Sequence, residues 1–493
     1  MILSERKGEG MEKTSVRLAG ITIHNFKNVG DGSLSFENKR KNYKASLLGL
    51  YGQNGSGKTA LIDAIKLLKY ALCGSKIPVG FADYINVDAE SATLIYEFQV
   101  GRDDEKTMVV YQFSIKAVQD ITETNTQSGD KVSENKKVCI YEEVLKCQTL
   151  SDKQTRYGRL IDTNTSEVFL PRPKKALLIG KDKAVNTDLL VIKKLAEESS
   201  RSFIFSAELL TVIRKNVDIV SKKTDSEKTS KENELLYYFH LIEAIVDFGN
   251  HELFIINTQT SGMISLKAQP FIFKYEEGKT KTSGTIMIPL EHTAAIPKQA
   301  RNVVGTVIDR MNKVLVKIIP GLTISVKDLG TEILKNGEEA CRIQLMSNKN
   351  SKEIPLSYES EGIKKIVSIL QLLIVVYNDP SITVAVDELD AGVFEYLLGE
   401  LLRIISERGK GQLIFTSHNL RPLETLDRGF VAFTTTNPEK RYVRMTNVKE
   451  NNNLRDFYYR DIMLGEQDDK LYDHTNNSEI AFAFREAGEV NDP

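Results

Sequence analysis

Tryptophan is missing from the 493 residues, and there are only four cysteines and twelve prolines. Cys73, Cys139, Cys147 and Cys341 show no CxxC spacing and no paired histidines, so neither a zinc module nor a disulfide scaffold is indicated. They are read as ordinary buried or half-buried thiols. An excess of either charge is also lacking: 66 Lys and Arg stand against 67 Asp and Glu, a formal net charge of −1. No global basic field draws the chain onto nucleic acid, and any such contact must use a local patch. Long apolar runs are absent as well. The longest, at 366–377, is interrupted by Ser368 and Gln371 and falls short of the roughly 20 residues that span a bilayer. No membrane contact is expected. The start turns charged by Glu5-Arg6-Lys7, before a signal-length apolar stretch can form, so the expected location is cytoplasmic, with Met11 as an alternative start. What remains, 41% hydrophobic and 27% charged residues, suits a globular chain with a sizeable core and excludes chain-wide disorder.

The patterning changes along the chain. Alternating strand-like pieces at 16–23, 34–36 and 45–51 precede a glycine-rich turn, and 60–70 spaces its apolar residues as an amphipathic helix does. Further strands are expected at 93–100, 108–115 and 138–145, an antiparallel meander. Helical periodicity fills 189–215 and 232–248, separated by a polar stretch at 221–231, which is read as the exposed tip of a helical insert without a sustained heptad seam. A strand-rich patch follows at 253–288, a helix at 298–319, and strands near 322–326 and 341–346. Helix 362–377, strand 382–386, helix 394–408 and strand 412–416 then alternate as in a parallel sheet. The expected divisions are an N-terminal lobe at 1–180, a helical insert at 181–250, a mixed region at 251–350 and a C-terminal lobe with an acidic tail at 351–493.

Gly52-Gln53-Asn54-Gly55-Ser56-Gly57-Lys58-Thr59 is a complete GxxxxGK[ST] phosphate-binding loop. Chance supplies about 0.03 such matches in a chain of this composition, so a mere glycine-rich turn is set aside. The backbone amides of the loop and of the following helix would wrap a phosphate chain. Lys58 would reach the β- and γ-phosphates of ATP, and the Thr59 hydroxyl would ligate Mg²⁺. A second element, Ile382-Thr383-Val384-Ala385-Val386-Asp387-Glu388, ends an apolar strand in two carboxylates. Asp387 would hold Mg²⁺ from the far side and Glu388 would orient or deprotonate the attacking water. Alone, such a strand could equally end in a solvated acidic turn, and the pairing with the phosphate loop carries the reading. One crossover helix later, Leu413-Ile414-Phe415-Thr416-Ser417-His418-Asn419 places His418 where a γ-phosphate would lie.

These motifs, with the opening Ile21-Thr22-Ile23-His24-Asn25-Phe26-Lys27-Asn28 and the late Asp387-Glu388-Leu389-Asp390-Ala391, resemble ABC-type ATPase heads of the SMC, RecF and OLD groups. The resemblance covers about 16–115 and 355–435 and says little about the insert. It implies an α/β fold: an ABC-type P-loop ATPase head with a mixed, largely parallel core sheet, an antiparallel β-meander lobe and a helical insert. It places Lys27 near the nucleotide, and Gly52, Asn54, Gly55, Ser56, Gly57, Lys58 and Thr59 around the phosphates. It also implies a signature segment that touches the second subunit's ATP; Ser360 and Gly362 are the candidates, with Ser357 as an alternative register. Two departures stand out. The segment 81–91 contains no glutamine, leaving Asn86 as the nearest substitute and Gln99 inside a strand, and Gly392-Val393-Phe394 replaces the family's aspartate-bearing loop.

The resemblance implies a homodimer, or a higher even-numbered oligomer, that closes around ATP and acts on a separately encoded effector such as a nuclease or toxin, or on DNA or RNA, in anti-phage defence. Two alternatives remain: an OLD-like nuclease and a RecF-type repair ATPase. The 75 residues after His418 concentrate Asp456, Asp461, Glu466, Asp468, Asp469 and Asp473 without apolar strands to hold a two-metal site, and are read as a solvated acidic tail.

Overall fold

The computed structural model describes residues 4–7, 14–38, 45–102, 105–119, 136–148, 157–223, 228–256, 268–277, 280–289, 292–334, 337–445, 453–464, 470–473 and 475–488. A six-stranded sheet forms the centre, in the order Tyr442–Val443, Val431–Thr434, Ser46–Tyr51, Gln412–Thr416, Thr383–Val386, Leu253–Ile256. All neighbours run parallel except the short terminal pair. Both faces are covered, which is why these strands read as continuous apolar runs rather than alternating ones.

The two faces can be followed residue by residue. Leu48, Leu50, Ala385, Ile414 and Ala432 point into one core, with the helix Lys58–Leu72. Leu47, Tyr51, Val384, Val386, Leu413, Phe415, Val431 and Phe433 point into the other, with the helices Lys298–Ile318 and Glu361–Asn378. This period of two is what a pleated strand imposes. The first core also holds the antiparallel sheet Val29–Ser35, Ser15–Phe26, Ser91–Arg102, Glu105–Gln119, Lys136–Gln148, Tyr157–Asp162. Helices Arg172–Ile179, Lys183–Glu198, Ala207–Ser221 and Ser230–Asp247 pack onto it. Two smaller antiparallel sheets complete the fold: Ala294–Pro297, Glu339–Lys349 and Leu322–Ile333, extended by Lys352–Pro355, and Ser4–Lys7, Thr280–Pro289 and Ala268–Glu277.

The expected mixed core sheet, meander and helical insert are all present. Two expectations need correction. The periodic stretch 189–215 is two helices, broken between Glu198 and Ala207. Ser200 turns into the left-handed region at φ 59, and Phe203, Ile204 and Phe205 plug into the core. Apolar residues that looked like a helical stripe are therefore a buried crossing, after which Ser206 caps the second helix by accepting from Leu209 N at 3.3 Å.

The tail is the second correction. Leu454–Leu464 is a helix whose Leu454, Phe457 and Tyr458 are buried, with Leu471 beyond it, and Tyr458 stacks on Phe433 at 4.9 Å between ring centroids. Charge density masked an apolar stripe spaced at three and four. Asp456 is exposed while Asp461, on the same helix, is buried, so these carboxylates do not converge; Glu466, Asp468 and Asp469 lie outside the described residues. Asp225 and Glu227 of the insert tip are likewise outside them.

Candidate functional site

The phosphate loop joins the central strand Ser46–Tyr51 to the helix Lys58–Leu72. Gly57 caps that helix at φ 92, a left-handed conformation that glycine adopts without Cβ strain. No side chain caps the first turn, so its amides remain to face an anion. A Cβ on Gly52 would collide with the Thr434 hydroxyl, and one on Gly57 would press on the Arg441 side chain at 3.2 Å. Asn54 and Gly55 are exposed at the tip. Ser56 is buried, donating to Gln53 O at 2.7 Å and sharing a hydrogen bond with Thr434.

The Lys58 ammonium is buried and folds back on its own loop, donating to the carbonyls of Gly52 and Gln53, both at 2.8 Å. Burial holds its pKa below the ordinary lysine value, against the upward pull of Asp387, Glu388 and Asp390. The loop lysine and the acidic turn, 329 residues apart (387 − 58), thus share one electrostatic site.

Asp387 and Glu388 follow the strand Thr383–Val386, one strand removed from the loop strand across Gln412–Thr416. The turn is pinned at both ends. Asp387 N donates to Ile256 O at 2.8 Å on one neighbour; on the other, the Thr416 hydroxyl donates to Asp387 Oδ1 and accepts from Glu388 N at 2.8 Å. Glu388 sits at φ 51, which costs a residue with a Cβ about 1 kcal/mol. Such outliers collect where a side chain must be aimed. Leu389 N returns to Thr416 O at 3.0 Å.

His418 is exposed, just past the same strand, and its backbone amide donates to Asp390 Oδ2 at 3.0 Å. Ser360 caps the helix Glu361–Asn378, accepting from Ile363 N at 3.4 Å, and Gly362 lies against Gly392, whose carbonyl would be 3.0 Å from a Cβ there. Ser360 is exposed. Lys27 stands at φ 53 with its ammonium paired to the buried Asp63 of the loop helix and 4.0 Å from the Tyr84 ring centroid. Asn86, the nearest stand-in for a glutamine, donates its backbone N–H to Asn25 O at 2.9 Å. Gln99 bonds Glu37 instead.

Several residues at the loop were not singled out from the sequence. Arg441 donates to Thr435 O at 2.7 Å and Asn28 O at 2.6 Å, Tyr442 donates its hydroxyl to Gly57 O at 3.0 Å, and the Asn28 amide donates to Gly55 O. Burial lowers the Arg441 pKa from the usual guanidinium range. Asp473 N donates to Gln53 Oε1 at 3.0 Å, so the tail also reaches the loop. The signal that could have found Arg441 and Tyr442 is the apolar run 430–433 before them, a strand beside the loop strand.

Among the described residues, no group of three or more His, Cys, Asp or Glu side chains is placed to hold a metal. A threonine hydroxyl and an aspartate carboxylate, as at Thr59 and Asp387, are hard oxygen donors of the kind that a phosphate-bound Mg²⁺ takes one or two at a time. The buried, hydroxyl-bonded Asp387 at the end of a parallel strand fits that role.

An uncapped helix start behind a glycine-rich loop, with a lysine and two carboxylates converging on it, defines a P-loop nucleotide-binding head. The chain belongs to the AAA ATPase domain family, whose model matches residues 17–421. It is also 30% identical over 178 residues to one of the subunits of the nuclease SbcCD, SbcC, from Clostridium acetobutylicum, an alignment covering 33% of this chain and 13% of that protein. The chain therefore spans only a small part of that relative. Among solved structures, the SMC head domain from Thermotoga maritima aligns over 87% of this chain and 99% of that one, at 15% identity and a TM-score of 0.34. The Smc head domain with a coiled coil and joint from Pyrococcus yayanosii aligns over 87% and 97%, at 11% identity and a TM-score of 0.38. No helix among the described residues is long and apolar enough to cross a membrane.

Proposed function

We propose that the chain binds and hydrolyses ATP with Mg²⁺, that two copies close around the nucleotide, and that opening and closing act on a separately encoded effector or on nucleic acid in anti-phage defence. The observation that carries the chemistry is the convergence of Lys58 with Asp387 and Glu388, at the ends of two strands separated by Gln412–Thr416.

On binding, the Lys58 ammonium exchanges the Gly52 and Gln53 carbonyls for β- and γ-phosphate oxygens, while the loop and helix amides surround the phosphate chain. Thr59 and Asp387 would hold Mg²⁺, which would supply charge neutralisation at the transferring phosphoryl group. Glu388, aimed by its left-handed backbone, accepts the proton of the attacking water, and His418 donates to the γ-phosphate. The exposed helix start at Ser360 and Gly362 offers a second anion site, directed at the nucleotide of the neighbouring copy. The anti-phage part of the reading rests on the resemblance to the SMC, RecF and OLD groups.

The test is a pair of variants. Glu388→Gln should retain ATP binding and lose most hydrolysis, whereas Lys58→Ala should lose binding itself. Near wild-type hydrolysis in both would remove the assignment.

A further inference from the structure

Asp390 has no part in the chemistry described so far, yet it sits among the site's charged groups. Its Oδ2 accepts two successive backbone amides, His418 N at 3.0 Å and Asn419 N at 2.8 Å. Its Oδ1 is buried without a hydrogen-bond partner, an expensive arrangement for a carboxylate unless a nearby charge compensates. Lys365 is such a charge. It lies on the helix that Ser360 caps, its side chain is buried, and its Cβ packs 3.9 Å from where a Cβ on Gly392 would be, two residues after Asp390. Burial lowers the Lys365 pKa, and Asp390 is the strongest of the three carboxylates opposing that shift, ahead of Glu388 and Asp387. A carboxylate that grips two consecutive amides fixes the direction of the intervening peptide, and with it the Cα–Cβ vector of His418.

We propose that Asp390 is a positioning residue for ATP hydrolysis: it holds the His418 loop by its two amides. This rests on the ATPase reading. His418 is otherwise exposed, and without the anchor its imidazole would sample orientations that do not reach the γ-phosphate.

The full chain tests this with Asp390→Ala, Asp390→Asn, His418→Ala and the Asp390→Ala/His418→Ala pair. Asp390→Ala should lower kcat by about tenfold while KM for ATP stays within about threefold, the split expected when a transition-state contact rather than ground-state binding is lost. Adding His418→Ala should cost no more than about twofold further, because both changes remove one interaction. Asp390→Asn keeps an acceptor oxygen and should recover most of kcat. Amide exchange of a peptide spanning His418 and Asn419 should rise about tenfold in Asp390→Ala without nucleotide. Unchanged exchange, or losses that multiply in the double variant, would overturn the proposal. The exchange measurement needs no turnover, so a wild-type chain that fails to hydrolyse ATP would strike down the ATPase reading while faster exchange still upheld the anchor.

Discussion

At the residue scale, two side chains decide how the site answers to its surroundings. Lys58 is charged but buried, and its lowered pKa means that a proton leaves the free protein at a pH where an ordinary lysine would keep it. A bound polyphosphate pulls that pKa up, so binding takes up a proton once the pH passes the free value. ATP affinity should therefore weaken as pH rises while still below 10.5, the usual lysine value; titrating ATP across pH 7 to 10 checks it, with Lys58→Arg as the variant that loses this dependence. Thr416 is the other. One hydroxyl serves both Asp387 and the Glu388 amide, so Thr416→Val, nearly isosteric, should cost about 1–3 kcal/mol in chemical denaturation and lower kcat more than it changes ATP affinity. The motif residues were legible because their chemistry is compressed into eight consecutive positions. Thr434 and Arg441 were not, because their partners Ser56 and Asn28 lie 378 and 413 residues away. The apolar run 430–433 marks a strand beside them, but nothing local records which distant residues they meet.

Elements were read well where they were long and one-sided, and poorly where burial overrode periodicity. The helix 298–319 was found nearly to its ends by its apolar periodicity, and 362–377 by an apolar run too long for a strand, buried on every side from Lys364 to Leu373. The strand Val431–Thr434 was passed over, since four buried residues have too short a run to show any period. The tail helix Leu454–Leu464 was hidden by its charges. Because Tyr458 is buried and stacked on Phe433, Tyr458→Ala should destabilise the chain by about 3 kcal/mol in denaturant titration, far more than a solvated tail would allow. The insert offers a finer case. Thr229 and Glu232 form a reciprocal cap on the helix Ser230–Asp247, and Lys223 and the Thr229 amide hold the Glu232 carboxyl down at about 2. A carboxyl with a depressed pKa contributes stability above its unfolded value, and that contribution is lost as pH falls toward the folded one. Protection of this helix from hydrogen exchange should thus decline between about pH 4.5 and 2, and Thr229→Ala should flatten that decline.

For the whole molecule, the arrangement to test is shared ownership of the nucleotide. If Ser360 and Gly362 serve a neighbouring copy, a Lys58→Ala chain mixed with a Gly362→Asp chain can assemble one site with neither lesion, and partial recovery of ATPase activity on mixing is expected. Activity no greater than the sum of the separate variants would oppose it. The central sheet carries a further implication. Its loop strand, Ser46–Tyr51, is flanked on both sides by strands from the far end of the chain, Gln412–Thr416 and Val431–Thr434, and the loop is buttressed by Arg441 and Tyr442. During synthesis, the phosphate-binding motif is made early but waits for more than three hundred further residues before its neighbours exist. A nascent polypeptide, or one cut short by a premature stop codon, carries the whole motif and has nowhere to seat a triphosphate. Incomplete copies should accordingly be silent in the cell rather than sequestering nucleotide or poisoning intact partners.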